Sequence, residues 1–97
     1  MDTYVILRRN GWRSGQDLQE AAARSTEEGD KMPSEVRWIR SYVLDEGDGA
    51  VGTVCIYQAS SEDAIRKHAG AADLPVDEIV KIADTVIVRE DPAPAAA

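Results

Sequence analysis

A chain of 97 residues is long enough for one modest hydrophobic core and too short for two domains. With 43% hydrophobic and 30% charged residues, it is too apolar to remain disordered. Its formal net charge of −7 argues against nucleic acid as a partner, since phosphate binding needs clustered Lys and Arg and the one basic cluster is Arg8, Arg9 and Arg13. The same acidity disfavours an anionic membrane surface and suits the binding of cations. No apolar run approaches the ~20 residues that span a bilayer. The single cysteine cannot make an intramolecular disulfide. Met1-Asp-Thr-Tyr leads straight into a strand-like run, so a cytoplasmic protein is expected.

Tyr4-Val-Ile-Leu predicts a first strand over residues 3–9, broken by Asn10-Gly11. Ser14 then caps a helix with Asp17 as its partner. Leu18, Ala21, Ala22, Ser25, Gly29 and Met32 follow helical spacing. These side chains are mostly small, so the helix is expected to lie close to what it covers. Gly29 should end it, and Pro33 forbids its continuation. Val36 to Asp45 and Ala50 to Ala59 read as two strands joined by the turn Glu46-Gly47-Asp48-Gly49. Ser60 is expected to cap a second helix, with Ile65, His68, Ala69 and Ala72 on its inner face. Ile79 to Arg89 supplies a fourth strand, interrupted at Asp84. The domain is expected to span residues 1–90, with 91–97 a disordered Pro/Ala tail.

The predicted order is βαββαβ, a ferredoxin-like α+β fold with a four-stranded antiparallel sheet and both helices on one face. Strict alternation puts Ile39 and Val43 on one face of the second strand and Trp38, Arg40 and Tyr42 on the other. The neighbouring strands also carry large apolar side chains on both faces, yet two helices cover only one. A homodimer packed through the uncovered sheet face is the simplest solution. Tyr4, Trp38, Tyr42 and Tyr57 are the aromatic residues available for that interface or for a pocket.

His68 and Cys55 are the residues with distinctive chemistry. The ordinary reading of His68 is a partly buried ring bonded to a backbone carbonyl. The sharper reading is a metal ligand, with Asp73, Asp77 and Glu78 in the following loop and Glu35 further off as carboxylate partners. A mid-strand Cys55 is ordinarily a small buried hydrophobe. A Cys55–His68 nucleophilic pair lacks a third group to orient it, and the spacing of a structural zinc site is absent. The 45–49 turn is too short for a calcium loop. No phosphate-binding loop, Ser-His-Asp order or other catalytic motif appears, so no catalytic residue is assigned.

Five pieces in order, Tyr4-Val-Ile, Trp38-x-x-Ser41-Tyr42-Val43, Cys55-Ile56-Tyr57-x-Ala59, Ile65-Arg66-x-His68-Ala69 and Leu74-Pro75-x-Asp77-x-Ile79, resemble a family of small bacterial proteins. That family was long labelled a domain of unknown function, and it includes a nickel-binding actinobacterial protein. The resemblance spans roughly residues 3–92. It implies a ferredoxin-like fold, a dimer, and nickel held by histidine and oxygen ligands, with His68 in the matching piece. No second histidine exists in the chain. Two functions are therefore carried forward. One is a dimeric metal-binding protein that sequesters nickel or a similar divalent ion. The other is a small-molecule binding module or cofactor-free enzyme of the dimeric α/β-barrel type, with Tyr4, Trp38, Tyr57 and His68 around its pocket.

Overall fold

The computed structural model describes residues 1–94, so the end of the expected 91–97 tail lies outside the described residues. Its elements are β1 (Asp2–Trp12), α1 (Gly15–Asp30), β2 (Val36–Gly47), β3 (Ala50–Ala59), α2 (Glu62–Ala72) and β4 (Glu78–Lys81). They form one antiparallel sheet in the order β2-β3-β1-β4. Both helices cover the face that carries Tyr4, Ile6, Cys55 and Tyr57, and the ferredoxin-like arrangement holds.

Alternation along β1 and β3 builds the core. Tyr4 pairs with Tyr57 and Ile6 with Cys55 on the helix side, where Ala64 and Ile65 of α2 complete the apolar cluster. Val5, Leu7, Val54 and Ile56 point to the open face and stay half-buried. The expected inner face of α2 is the buried one, with Ile65, His68, Ala69 and Ala72 all inside. Ser14 caps α1 as expected, accepting from the Asp17 N–H at 3.1 Å.

Five local expectations are corrected. The α2 cap is Ser61, whose Oγ accepts from the Ala64 N–H at 3.1 Å; the Ser60 N–H instead donates to the Glu35 carbonyl. Helix α1 passes Gly29 and stops at Asp30, because one glycine inside a hydrogen-bonded turn is tolerated while Pro33 is not. Asn10-Gly11 does not end β1. It forms an irregularity between Arg8 and Trp12, with Asn10 at φ 50, after which pairing resumes at Trp12–Val51. The turn itself is Asp48-Gly49, both at positive φ (53 and 83), which matches the twist of a two-residue hairpin.

The fourth strand is much shorter than the expected 79–89. Its residues pair with Tyr4–Leu7 of β1, and the Ile82 N–H reaches the Thr3 carbonyl. Beyond that point β1 has run out, so the following residues have no strand to join. The segment turns across the open face instead. Asp91 accepts from Arg40 Nη1 and from the Tyr42 hydroxyl, each at 2.6 Å. Those two bonds hold its carboxyl below the ordinary carboxylate range, the Tyr42 bond contributing most.

The fifth correction concerns β2. Trp38 faces Tyr57 and Arg40 faces Ile56, which leaves Ile39 as an extra residue in a bulge. The bulge reverses the alternation after it. Trp38, Ser41 and Val43 therefore share the helix side, while Arg40 and Tyr42 look out on the open face. Trp38 and Tyr42 do not form one aromatic surface.

Gly52 lies opposite the β1 irregularity, where a Cβ would stand 2.5 Å from the Arg8 carbonyl oxygen and 3.1 Å from Glu46 Oε2. A backbone atom cannot yield as a flexible side chain can. Gly52→Ala is therefore expected to destabilise the protein by roughly 1–3 kcal/mol, read as a lower urea midpoint at unchanged slope.

Candidate functional site

The polar side chains of the helix-side face fall into two groups, joined at Ser25 of α1. The first is the His68 group. Its ring is 1% exposed, and Nε2 lies 2.9 Å from the Ser25 carbonyl, so Nε2 carries the proton and donates. Ser25 Oγ lies 2.9 Å from the Tyr57 hydroxyl, and the Tyr57 and His68 rings are 5.7 Å apart. Ser25 thus ties α1 to α2 through its carbonyl and to the sheet through its hydroxyl. Burial pushes the Tyr57 phenol above its ordinary value of 10.0; the Ser25 bond and nearby Arg8 oppose the shift only in part.

His68 therefore takes the ordinary place of a buried histidine bonded to a carbonyl. Its orientation does resemble that of a metal-ligating imidazole, with one nitrogen donating to a backbone carbonyl and the other, Nδ1, unpartnered. That Nδ1 is sealed from solvent, and its expected carboxylate partners lie elsewhere. Asp73 is the exposed, left-handed residue that caps α2, at φ 55. Asp77 accepts from the Arg9 backbone N–H, and Glu78 opens β4 opposite Leu7 on the other sheet face. Glu35 pairs with Lys67 at 3.5 Å. Among the described residues, no three His, Cys, Asp or Glu side chains come together as a metal-binding group. The donors present in one protomer do not fit a nickel site at His68.

The second group surrounds a pocket of about 470 Å³ between the N-terminal half of α1 and the sheet. Leu18 and Ala22 form its helix wall, Trp12, Trp38 and Val43 its sides, and Arg8, Thr53 and Cys55 its polar floor. The small side chains of α1 were expected to bring it close to the sheet. They do so at Ala21 and Ser25, which are buried, the Ser25 hydroxyl meeting Tyr57 of the sheet; the pocket opens beside them, edged by the large Arg8, Trp38 and Tyr57 side chains. Trp38 stacks on Tyr57 at 6.1 Å and 7°, and its Nε1 donates to Ser41 Oγ at 2.8 Å. Ser41 donates to Cys55 Sγ at 3.0 Å, and Cys55 to Thr53 Oγ1 at 3.3 Å. Cys55 is buried and unpaired. It has no contact with His68 that would make a nucleophilic pair, since its hydrogen bonds run to hydroxyls.

Of the aromatic residues expected at a pocket or interface, Tyr4 is core, Tyr57 is core and also borders the pocket beside Trp38, and Tyr42 lies on the open face. Arg8 was not singled out as a site residue. In sequence it is one of three arginines at a strand end, and only its position opposite Thr53 on the helix side sets it apart.

The fold and this arrangement define a small ferredoxin-like α+β protein with its polar groups enclosed between helices and sheet. Residues 4–82 match the model of the family described as nickel responsive protein SCO4226-like, and the chain belongs to that family. Its fold is also that of SCO4226 from Streptomyces coelicolor A3(2), known from a crystal structure, with a TM-score of 0.69 at 17% sequence identity. The match covers 87% of this chain and 99% of that one. A search of curated proteins found no match. No helix among the described residues is long and apolar enough to cross a membrane.

Two outcomes follow from the Ser25 junction. His68→Ala leaves a cavity and an unpaired carbonyl, so a loss of about 2–4 kcal/mol is expected in urea unfolding. Tyr57 keeps its proton in the folded state beyond the pH at which the unfolded chain loses it. Stability should therefore fall as the pH rises past 10.0, and Tyr57→Phe should flatten that fall.

Proposed function

We propose that the protein binds nickel or a similar divalent ion as a homodimer, with the ligand shell drawn from two copies rather than built around His68. Membership of a nickel-responsive family supports the link to the metal. The observation that carries the rest is the placement of donors: the described residues of one protomer gather no set of three, whereas a two-fold axis doubles every carboxylate beside it. Carboxylates and water can complete a six-coordinate divalent-ion shell, and the acidic surface draws cations toward it.

The surface features support a dimer. Strand β2 is an edge strand with Ile39 and Val43 exposed, and the open face beside it carries Tyr42 and Val80. Val86, Ile87 and Val88 stand 86%, 79% and 76% exposed in an irregular stretch beyond the end of β4. Apolar, β-branched residues without a ladder are a ready surface for a second copy. Packing two open faces together would bury Tyr42, Val80 and the 86–88 stretch, while Val43 stays on the helix side.

Calorimetric titration of metal-free protein, with sedimentation on the same samples, tests this reading. The expected result is one nickel ion per two chains, retained in His68→Ala wherever that variant stays folded. Val86→Glu with Val88→Glu is expected to weaken dimerisation and nickel binding together. One ion per monomeric chain would overturn the shared shell, and loss of binding in folded His68→Ala would restore His68 as a ligand.

A further inference from the structure

The pocket under α1 holds a cation that the protein does not neutralise. Arg8 is 1% exposed, yet it forms no ion pair among the described residues. Its Nη1 donates to the Pro75 carbonyl at 2.6 Å, and its Nη2 is buried without any hydrogen-bond partner. No Asp or Glu lines the pocket. The polar neighbours on the floor, Thr53 and Cys55, are bonded to one another and offer no negative charge. A guanidinium cannot shed its proton to escape this situation. Leaving a charge buried and unpaired is costly, and leaving its donor unsatisfied adds to that cost.

The space beside that guanidinium has the size and lining of a ligand site. A volume of about 470 Å³ suits a small organic molecule. Around the floor the lining is mainly apolar, with the indoles of Trp12 and Trp38 and the aliphatic Leu18, Ala22 and Val43, while Gln19, Ser25, Ser41 and Tyr57 add neutral polar groups. Such walls favour a flat apolar body. Arg40 also borders the pocket, but it is paired with Asp91. A single uncompensated positive charge matches one carboxylate. A doubly charged phosphate would leave the pocket over-neutralised.

We propose that this pocket binds a small organic acid, its carboxylate on Arg8 and its apolar body between α1 and Trp38. Nη2 is sealed from solvent as the structure stands, so the carboxylate reaches it by a turn of the guanidinium toward the pocket, and the bond then supplies both the missing partner and the missing charge. The site is separate from the divalent-ion reading and involves neither His68 nor a second copy.

The test compares 1-naphthoate with 1-naphthamide, a pair of matched shape that differs in charge, titrated into full-length protein in the presence of a chelator. The expected result is saturable binding of one naphthoate per chain, at least tenfold tighter than the amide. Arg8→Met should abolish that preference, and Ala22→Phe, which fills the space from the helix side, should remove binding of both. The acid–amide comparison on the unaltered protein stands even if Arg8→Met fails to fold. Equal affinity for acid and amide would overturn the anion assignment while leaving an apolar pocket. Absence of binding by either up to about 1 mM would overturn the site altogether. Naphthoate binding that survives Ala22→Phe would place the acid elsewhere and overturn it equally.

Discussion

Ser25 is the point on which the helix layer depends. Its hydroxyl meets the Tyr57 phenol and its carbonyl receives the His68 imidazole, so one residue of α1 is bound to the sheet and to α2 at once. Arg24 adds to this by donating to the Ala72 carbonyl at the C-terminal end of α2. The C-terminal half of α1 is thereby pinned. The pocket lies beside its N-terminal half, where Leu18 and Ala22 share the lining with Trp12, Trp38 and Val43. Because His68 is consumed by that attachment, it serves the packing of α1 on α2, and a metal role must look to donors outside the core.

The open face has a different logic. The bulge at Ile39 directs Trp38 toward the helices and leaves Arg40 and Tyr42 outside, where both bind Asp91. The chain's own C-terminal segment therefore covers part of the face without adding a strand to the sheet. What it presents to solvent in doing so, Val86 to Val88, is more apolar than what it covers. An isolated protomer gains little from that exchange, and a paired one can bury the whole surface.

The residues that sequence reasoning could and could not read differ in a consistent way. Element order, the hairpin, the Ser14 cap and the inner face of α2 depend on neighbours within a turn or a strand, and they were legible. Ser60 and Ser61 are both competent caps; which is used depends on the bond from Ser60 to Glu35, distant in the chain. The length of β4 depends on where β1 ends, nearly eighty residues earlier. Strict alternation misplaced Trp38 because no residue type announces a bulge at Ile39. The three carboxylates expected beside His68 from the following loop, Asp73, Asp77 and Glu78, were chosen for their chemistry and closeness in sequence, but a cap, a backbone bond and a strand register had already claimed their positions.

The sequence by itself determined the ferredoxin-like topology, because hydrophobic period and turn chemistry are properties of local segments. It also carried the family resemblance, through short pieces in a set order that the match over residues 4–82 bears out. Only the tertiary structure decided that His68 is a buried clamp, that Arg8 is a buried cation without a counter-charge among the described residues, and that a pocket opens between α1 and the sheet. Each of these is a statement about which groups from separate elements meet. Burial and pairing arise only when the chain is closed on itself, so no local pattern could have held them.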